Sequence, residues 1–288
     1  MKDIVVIGSI NIDTTLEIKD FPKEGETISS LKMLKDVGGK GLNQAVALRK
    51  AGADPLFLSA YNPLDPTSAM LDKVVTMNDL DVFWMRSDKP NGTAYIILND
   101  KGENEIIIHA GSNEDVTSDN LMSLENAKYI VLQNEIPEET NEYILREYKD
   151  KIIVYNPSPL RDIKEELLSS ISYLVVNEHE ISHFSNKKTY IAMAQDLLSR
   201  GVKNVLLTLG DKGSILYSKD EIITVNAVKT KVMDTVAAGD TYLGYFVSML
   251  SKGKSKKEAM EIASPASSIC VSRKGAISAI PSLDELTN

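Results

Sequence analysis

Cysteine is nearly absent from the chain: Cys270 is the only one in 288 residues. A single thiol excludes an internal disulfide and fits a reducing compartment. Positive charge is also in deficit, with 32 Lys and Arg against 41 Asp and Glu, a formal charge of −9 at pH 7. That balance argues against non-specific binding to nucleic acid or to an acidic membrane surface, so an anionic substrate would need a local positive site. No apolar run approaches membrane-spanning length, and Met1-Lys2-Asp3 leads straight into a strand-like run with no signal-peptide pattern. The expectation is a cytoplasmic protein with neither nucleic acid nor membrane as partner. What is present is ordinary for a globular chain: 43% hydrophobic and 25% charged residues, enough for one α/β domain with appendages or for two small domains.

The chain opens on Ile4-Val-Val-Ile-Gly8, an apolar run of buried parallel-strand type, followed at once by polar Ser9, Asn11 and Asp13. Ligands in open α/β sheets bind beyond the carboxyl ends of strands, which places Asn11 and Asp13 where contacts are expected. An Asx-type turn leaving a strand explains the same residues equally well. Thr14–Ile18 and Thr27–Val37 read as strands joined by a turn over Phe21–Gly25. Next comes Gly38-Gly39-Lys40-Gly41-Leu42-Asn43-Gln44-Ala45, a glycine turn feeding an amphipathic helix. It is not a Walker P-loop, because no Gly-Lys-Ser/Thr follows four spacers. Its glycines let backbone amides meet a ligand, Lys40 supplies charge, and Asn43 offers a donor and an acceptor.

Gly92–Asn99 and Glu105–His109 flank Asp100–Asn104 as a hairpin, and with residues 14–37 would form a small separate sheet. From Asn113 onward strand and helix alternate with no linker, and Tyr129–Leu132, Ile152–Tyr155, Tyr173–Val176 and Val205–Leu209 are short parallel-type runs. Near the C-terminus, Asp234-Thr-Val-Ala237-Ala238-Gly239-Asp240-Thr-Tyr sets a small-residue turn and a carboxylate before an apolar helix. Unpaired amides at a helix start can hold an anion, and a carboxylate beside them can accept the proton of an attacking hydroxyl. An ordinary N-capped helix is the plain alternative. Lys256–Ser272 begins helically and contains Pro265, read as a kink or a break.

Both glycine motifs resemble the N- and C-terminal signatures of the ribokinase-like (PfkB-type) carbohydrate kinases, in family order, and the resemblance spans nearly the whole chain. It implies a ribokinase-like three-layer α/β/α sandwich. Its central sheet would be mainly parallel, in one domain over 1–288, with a β-sheet lid from about 14–37 and 92–109 that pairs with a second subunit's lid. The implied activity is ATP-dependent phosphorylation of a sugar hydroxyl, with ribose the first choice and another pentose, a hexose or a nucleoside as the alternative. Asp240 would be the base and the amides of Ala237, Ala238, Gly239 and Asp240 the anion hole. Asn11, Asp13, Gly39, Lys40, Gly41, Asn43 and Glu135 would hold the sugar. Asn177, Thr208, Gly210, Gly213, Gly239 and Ser264 would hold ATP. The family's Asn-x-x-Glu motif falls on Asn177 and Glu180, the latter acting on Mg2+ through water. Asp234 and the carbonyls of Val236, Cys270, Arg273 and Gly275 would surround K+, although Ala279 stands where the family often carries Ser. A further departure is Tyr61–Pro66, which replaces the usual Gly-x-Asp-x-x-Gly.

The Asn177–Glu180 segment also contains His179-Glu180-Ile-Ser-His183, the zinc metallopeptidase pattern. Three features oppose that reading: the pair falls on a helix's first turn, Ser185-Asn-Lys-Lys breaks the helix, and His109 is the only other histidine. Asn177 at an N-cap with Glu180 at N3 is equally a plain capping arrangement. A catalytically silent sugar-binding protein is the remaining alternative.

Overall fold

A computed structural model describes residues 2–286; Met1, Thr287 and Asn288, the ends of the expected 1–288 domain, lie outside the described residues. The chain forms strands β1 (Ile4–Ile7), β2 (Asn11–Glu17) and β3 (Lys32–Gly38), then helix α1 (Lys40–Lys50). β4 (Leu56–Tyr61), α2 (Ser68–Met77), β5 (Asp81–Arg86), β6 (Gly92–Leu98) and β7 (Asn104–His109) follow. β8 (Tyr129–Gln133), α3 (Glu138–Glu147), β9 (Ile152–Asn156), β10 (Ile171–Asn177), α4 (Glu178–Phe184) and α5 (Tyr190–Ser199) continue the alternation. The chain closes with β11 (Asn204–Thr208), β12 (Ser214–Ser218), β13 (Ile222–Val225), α6 (Ala238–Ser251) and α7 (Lys256–Val271).

Nine strands make one sheet in the order β13-β12-β11-β10-β9-β8-β1-β4-β5. All pairings from β11 to β5 are parallel, and β12 and β13 add an antiparallel edge. The central strands are buried on both faces, so their side chains alternate between two cores. Ile4, Val6, Tyr129 and Val131 face α1, α6 and α7, while Val5, Ile7, Ile130 and Leu132 face α3, α4 and α5. The result is a three-layer α/β/α sandwich with a mainly parallel sheet. No helix among the described residues is long and apolar enough to cross a membrane.

Strand order fixes where a ligand can go. From β1 the chain winds one way to β4 and β5, then returns to β8 and winds the other way to β11. The reversal lies between β1 and β8, and a crevice opens beyond their carboxyl ends. Four strands leave the sandwich there as a second sheet, ordered β3-β2-β6-β7. Directly paired residues share a face, so Asp13, Asp36, Ala94 and Ile108 point one way and Thr14, Lys35, Tyr95 and Ile107 the other.

Several boundaries differ from expectation. β2 begins at Asn11, so Asn11 and Asp13 are strand residues rather than an Asx turn. The expected strand from Thr27 starts only at Lys32, because β2 ends at Glu17 and the ladder stops at the pair Glu17–Lys32. α7 runs unbroken through Pro265. The bond Pro265 cannot donate would go to Glu261, which is exposed, so water can satisfy that carbonyl.

Candidate active site

The glycine turn after β3 brings the N-terminus of α1 against β1. A Cβ on Gly41 would lie 2.6 Å from the Gly8 carbonyl carbon, so only glycine allows this approach. The same packing buries Asn43 and Gln44 on the inner face of α1. α6 packs beside α1 and carries Asp240 in its first turn, 6% exposed. Asn43 Nδ2 donates to Asp240 Oδ2 at 3.1 Å, and Gln44 Nε2 donates to Oδ1 at 2.8 Å. Asn43 Oδ1 is buried with no partner among the described residues.

The turn ahead of α6 is strained. Ala237 is left-handed, φ 60° and ψ 7°, a conformation that disfavours a residue with a Cβ by about 1–2 kcal/mol. That turn starts the helix abruptly and leaves the amides of Gly239 and Asp240 without i−4 carbonyl partners. It is held from behind by Asp234, whose carboxylate accepts from Val236 N and Gly275 N, both at 3.1 Å. Strain of this kind persists where its surroundings fix it, often at functional sites.

Two cavities meet at this turn. One, of about 450 Å3, is lined by all six residues expected at a nucleotide: Asn177, Thr208, Gly210, Gly213, Gly239 and Ser264. Tyr242, the last residue of the C-terminal motif, also lines it, as do Ala227, Ser267 and Ser268, which no motif singles out in sequence. The other, of about 320 Å3, is lined by Lys40, Glu180, Ala237 and Asp240, and shares Asn177, Thr208, Ala238 and Gly239 with the first. Asn177 caps α4, accepting from His179 N and Glu180 N at 2.9 and 2.8 Å, while Glu180 Oε2 accepts from Asn177 N at 2.9 Å. His183 pairs with Asp162 outside the cavities. The His-Glu-x-x-His segment is thus a short capped helix.

Toward the second sheet, Glu135 follows β8 directly. Its Oε2 accepts from Ser9 Oγ and from Lys40 N, joining the two sides of the strand-order reversal. Glu135 also lines a third cavity of about 250 Å3 with Asn113 and Arg161. Asn11 is 2% exposed and its Oδ1 accepts from Asn113 Nδ2 at 2.7 Å, so that oxygen is committed within the protein. The unusual 61–66 loop is tied by side chains instead of glycines: Asp65 accepts from Thr67 and from Asn91 N, and Asn91 Oδ1 accepts from Asn62 N.

The charges here are mostly negative. Burial lowers the tendency of Lys40 to carry charge, but Asp240, Glu135 and Glu180 outweigh it and hold its pKa above the ordinary lysine value. Asp13 has no such cation: burial first, then Glu135 and Asp36, push it up to about 7. Because that value exceeds the unfolded one, the shift favours the fold below the usual aspartate range and loses this contribution as pH rises toward 7. Asp13→Asn should therefore be more stable than the wild type at pH 8, by up to about 4 kcal/mol at 1.4 kcal/mol per unit. The difference should shrink toward zero near pH 4. Urea unfolding at the two values measures it, and a pH-independent difference would contradict the buried, cation-poor setting of Asp13.

Comparison with known proteins agrees with this geometry. Residues 1–283 match the model of the pfkB family of carbohydrate kinases. A ribokinase of Staphylococcus aureus is 32% identical, with 98% of each chain covered. The crystal structure of a ribokinase from Thermotoga maritima superposes with a TM-score of 0.93 at 35% identity, covering 100% of this chain and 98% of that one. That of an Arabidopsis thaliana ribokinase complexed with ribose and ATP gives 0.89 at 31% identity, covering 99% and 97%. On these matches over nearly its whole length, the chain belongs to the pfkB family of carbohydrate kinases.

Proposed function

We propose that this chain is an ATP-dependent ribose kinase in which Asp240 is the general base. The observation that carries the reading is the place of Asp240, buried beside the strained Ala237–Gly239 turn where the two cavities meet. ATP fits the larger cavity with its γ-phosphate at the shared wall. The sugar fits between Asp240, Lys40, Asn43 and Glu135, beneath the face of the second sheet that carries Asp13. Asn43 Oδ1 has no donor among the described residues, which leaves it able to accept from a sugar hydroxyl. The reacting hydroxyl gives its proton to Asp240 as its oxygen bonds to the γ-phosphorus and the bond to the β-phosphate oxygen breaks. The amides of Gly239 and Asp240 and the Lys40 ammonium stabilise the charge on the transferring group.

The donor set fits both cations the family implies. Glu180 spends one oxygen on its own helix cap, leaving Oε1 for water around Mg2+, which when bound neutralises phosphate charge. Asp234 and the carbonyls of Val236 and Gly275 would supply the oxygens for K+, although both Asp234 oxygens accept backbone amides and the Val236 carbonyl accepts from Cys270 Sγ at 3.7 Å. The fit is weaker at Cys270 and Arg273: the Cys270 carbonyl already accepts from Arg273 N at 3.1 Å, and Ala279 is buried without an oxygen to offer. In the second sheet, Tyr95 and Ile107 on the outer face are 45% and 61% exposed, an apolar surface that a second copy's lid would cover. A reducing, cytoplasmic setting suits the lone thiol.

Asp240→Asn should keep the fold and sugar affinity but lower kcat by about 10²–10⁴, since an amide cannot take the proton. Calorimetric sugar binding with steady-state turnover tests this, and near-normal turnover would sink the base assignment. Ile107→Asp should yield monomers in light scattering with weaker sugar binding; wild-type monomer at micromolar concentration would refute the lid dimer. Turnover should rise with potassium at constant ionic strength, more in kcat than in sugar affinity, and should lose that response in Asp234→Ala. A flat wild-type curve in potassium-free buffer would eliminate the cation loop.

A further inference from the structure

A relay of two glutamines stands behind Asp240, and neither reaches a cavity. Gln44 and Gln133 are both 0% exposed. Gln44 Nε2 donates to Asp240 Oδ1 at 2.8 Å, and the same nitrogen lies 3.4 Å from Asn156 Oδ1. On the other side, Gln133 Nε2 donates to Gln44 Oε1 at 2.7 Å. The three helpers come from α1, the end of β8 and the end of β9, which only the strand order brings together.

An amide has two ends of nearly equal size and opposite chemistry. Turned over, Gln44 would set its carbonyl oxygen against a carboxylate that also only accepts. The carboxylate itself demands the donating orientation, and Gln133 reinforces it, because its NH2 fills the acceptor end of the Gln44 amide and leaves the donor end for Asp240. Gln133 reaches that spot because residue 8 is glycine; a Cβ there would lie 2.0 Å from Gln133 Oε1. Gln133 Oε1 has no partner among the described residues. An unsatisfied buried acceptor is unfavourable and calls for a reason, and the donated Nε2 hydrogen supplies one.

We propose that Gln44 and Gln133 are positioning residues for the catalytic carboxylate, Gln133 acting only through Gln44. The proposal rests on the reading of Asp240 as the base. Together with Asn43 on Oδ2, the Gln44 bond fixes the carboxylate plane, so that one lone pair of Asp240 meets the sugar hydroxyl as it attacks the phosphorus. Losing the relay lets the carboxylate rotate in place. The loss appears in turnover, where geometry counts most, and hardly in sugar affinity.

The test compares Gln44→Met, Gln133→Met, the double variant and Asp240→Asn by kcat, sugar Kd without nucleotide, and thermal unfolding. Methionine keeps the volume; at position 133 it removes the unsatisfied Gln133 oxygen but strips Gln44 Oε1 of its donor, so that variant should fold about as well as wild type. Gln44→Met should lower kcat about 10- to 100-fold and Gln133→Met about tenfold, each with Kd within about threefold. Because Gln133 acts through Gln44, the double variant should be no slower than Gln44→Met alone. Wild-type kcat in Gln133→Met, or losses that multiply in the double variant, would overturn the relay. An inactive Asp240→Asn beside unaffected glutamine variants would reject the relay alone, whereas an active Asp240→Asn would reject the base reading itself.

Discussion

A buried carboxylate needs hydrogen-bond donors, and in this protein that need organises the site. Asp240 is almost out of water, and the donors that meet its two oxygens are amides 197 and 196 residues earlier in the chain. Helix α1 must therefore lie against α6, which requires the close backbone approach at Gly41. It also requires the turn at Ala237 to start α6 abruptly, and that turn depends on Asp234 tying residues 236 and 275 together. The N-terminal glycine motif and the C-terminal anion turn are thus two halves of one construction.

The sandwich supplies the frame for it. Because the strand order reverses between β1 and β8, the residues leaving those strands face each other across one crevice, and Glu135 spans it by accepting from both Ser9 and Lys40. Within a chain of net charge −9, Lys40 places an ammonium at this crevice, and Asp240, Glu135 and Glu180 hold its pKa above the ordinary lysine value against the effect of burial. Asp13, brought in on the second sheet, is the opposite case, its pKa pushed up to about 7 by burial and by its acidic neighbours.

The parts legible in the sequence were those encoded locally. Ile4–Ile7 and Tyr129–Gln133 read as parallel strands because burial on both faces demands continuous apolar runs. The residues expected at the nucleotide came from short motifs and converge on one cavity. Gln44 stands inside the N-terminal motif without a role of its own, and sequence assigns none to Gln133 or Asn113, since those roles exist only once β8 lies beside β1 and the second sheet folds over. Edge strands β5 and β13 escaped notice because they are short and partly exposed, with weak alternation. Pro265 did not break its helix: the cost of proline depends on whether the deprived carbonyl can reach water, and sequence does not give that. Asn11 was legible as a position, whereas its bond to Asn113 was not, because that partner lies 102 residues away in the chain.

The central claim is that this site carries phosphate from ATP to ribose. Coupled ADP release, measured as kcat/KM over ribose, 2-deoxyribose, fructose and adenosine with saturating ATP and Mg2+, tests it most directly. The account predicts release above the sugar-free background with the pentoses, highest for ribose. Release that no sugar raises above background, or a preference for adenosine over ribose, would contradict it.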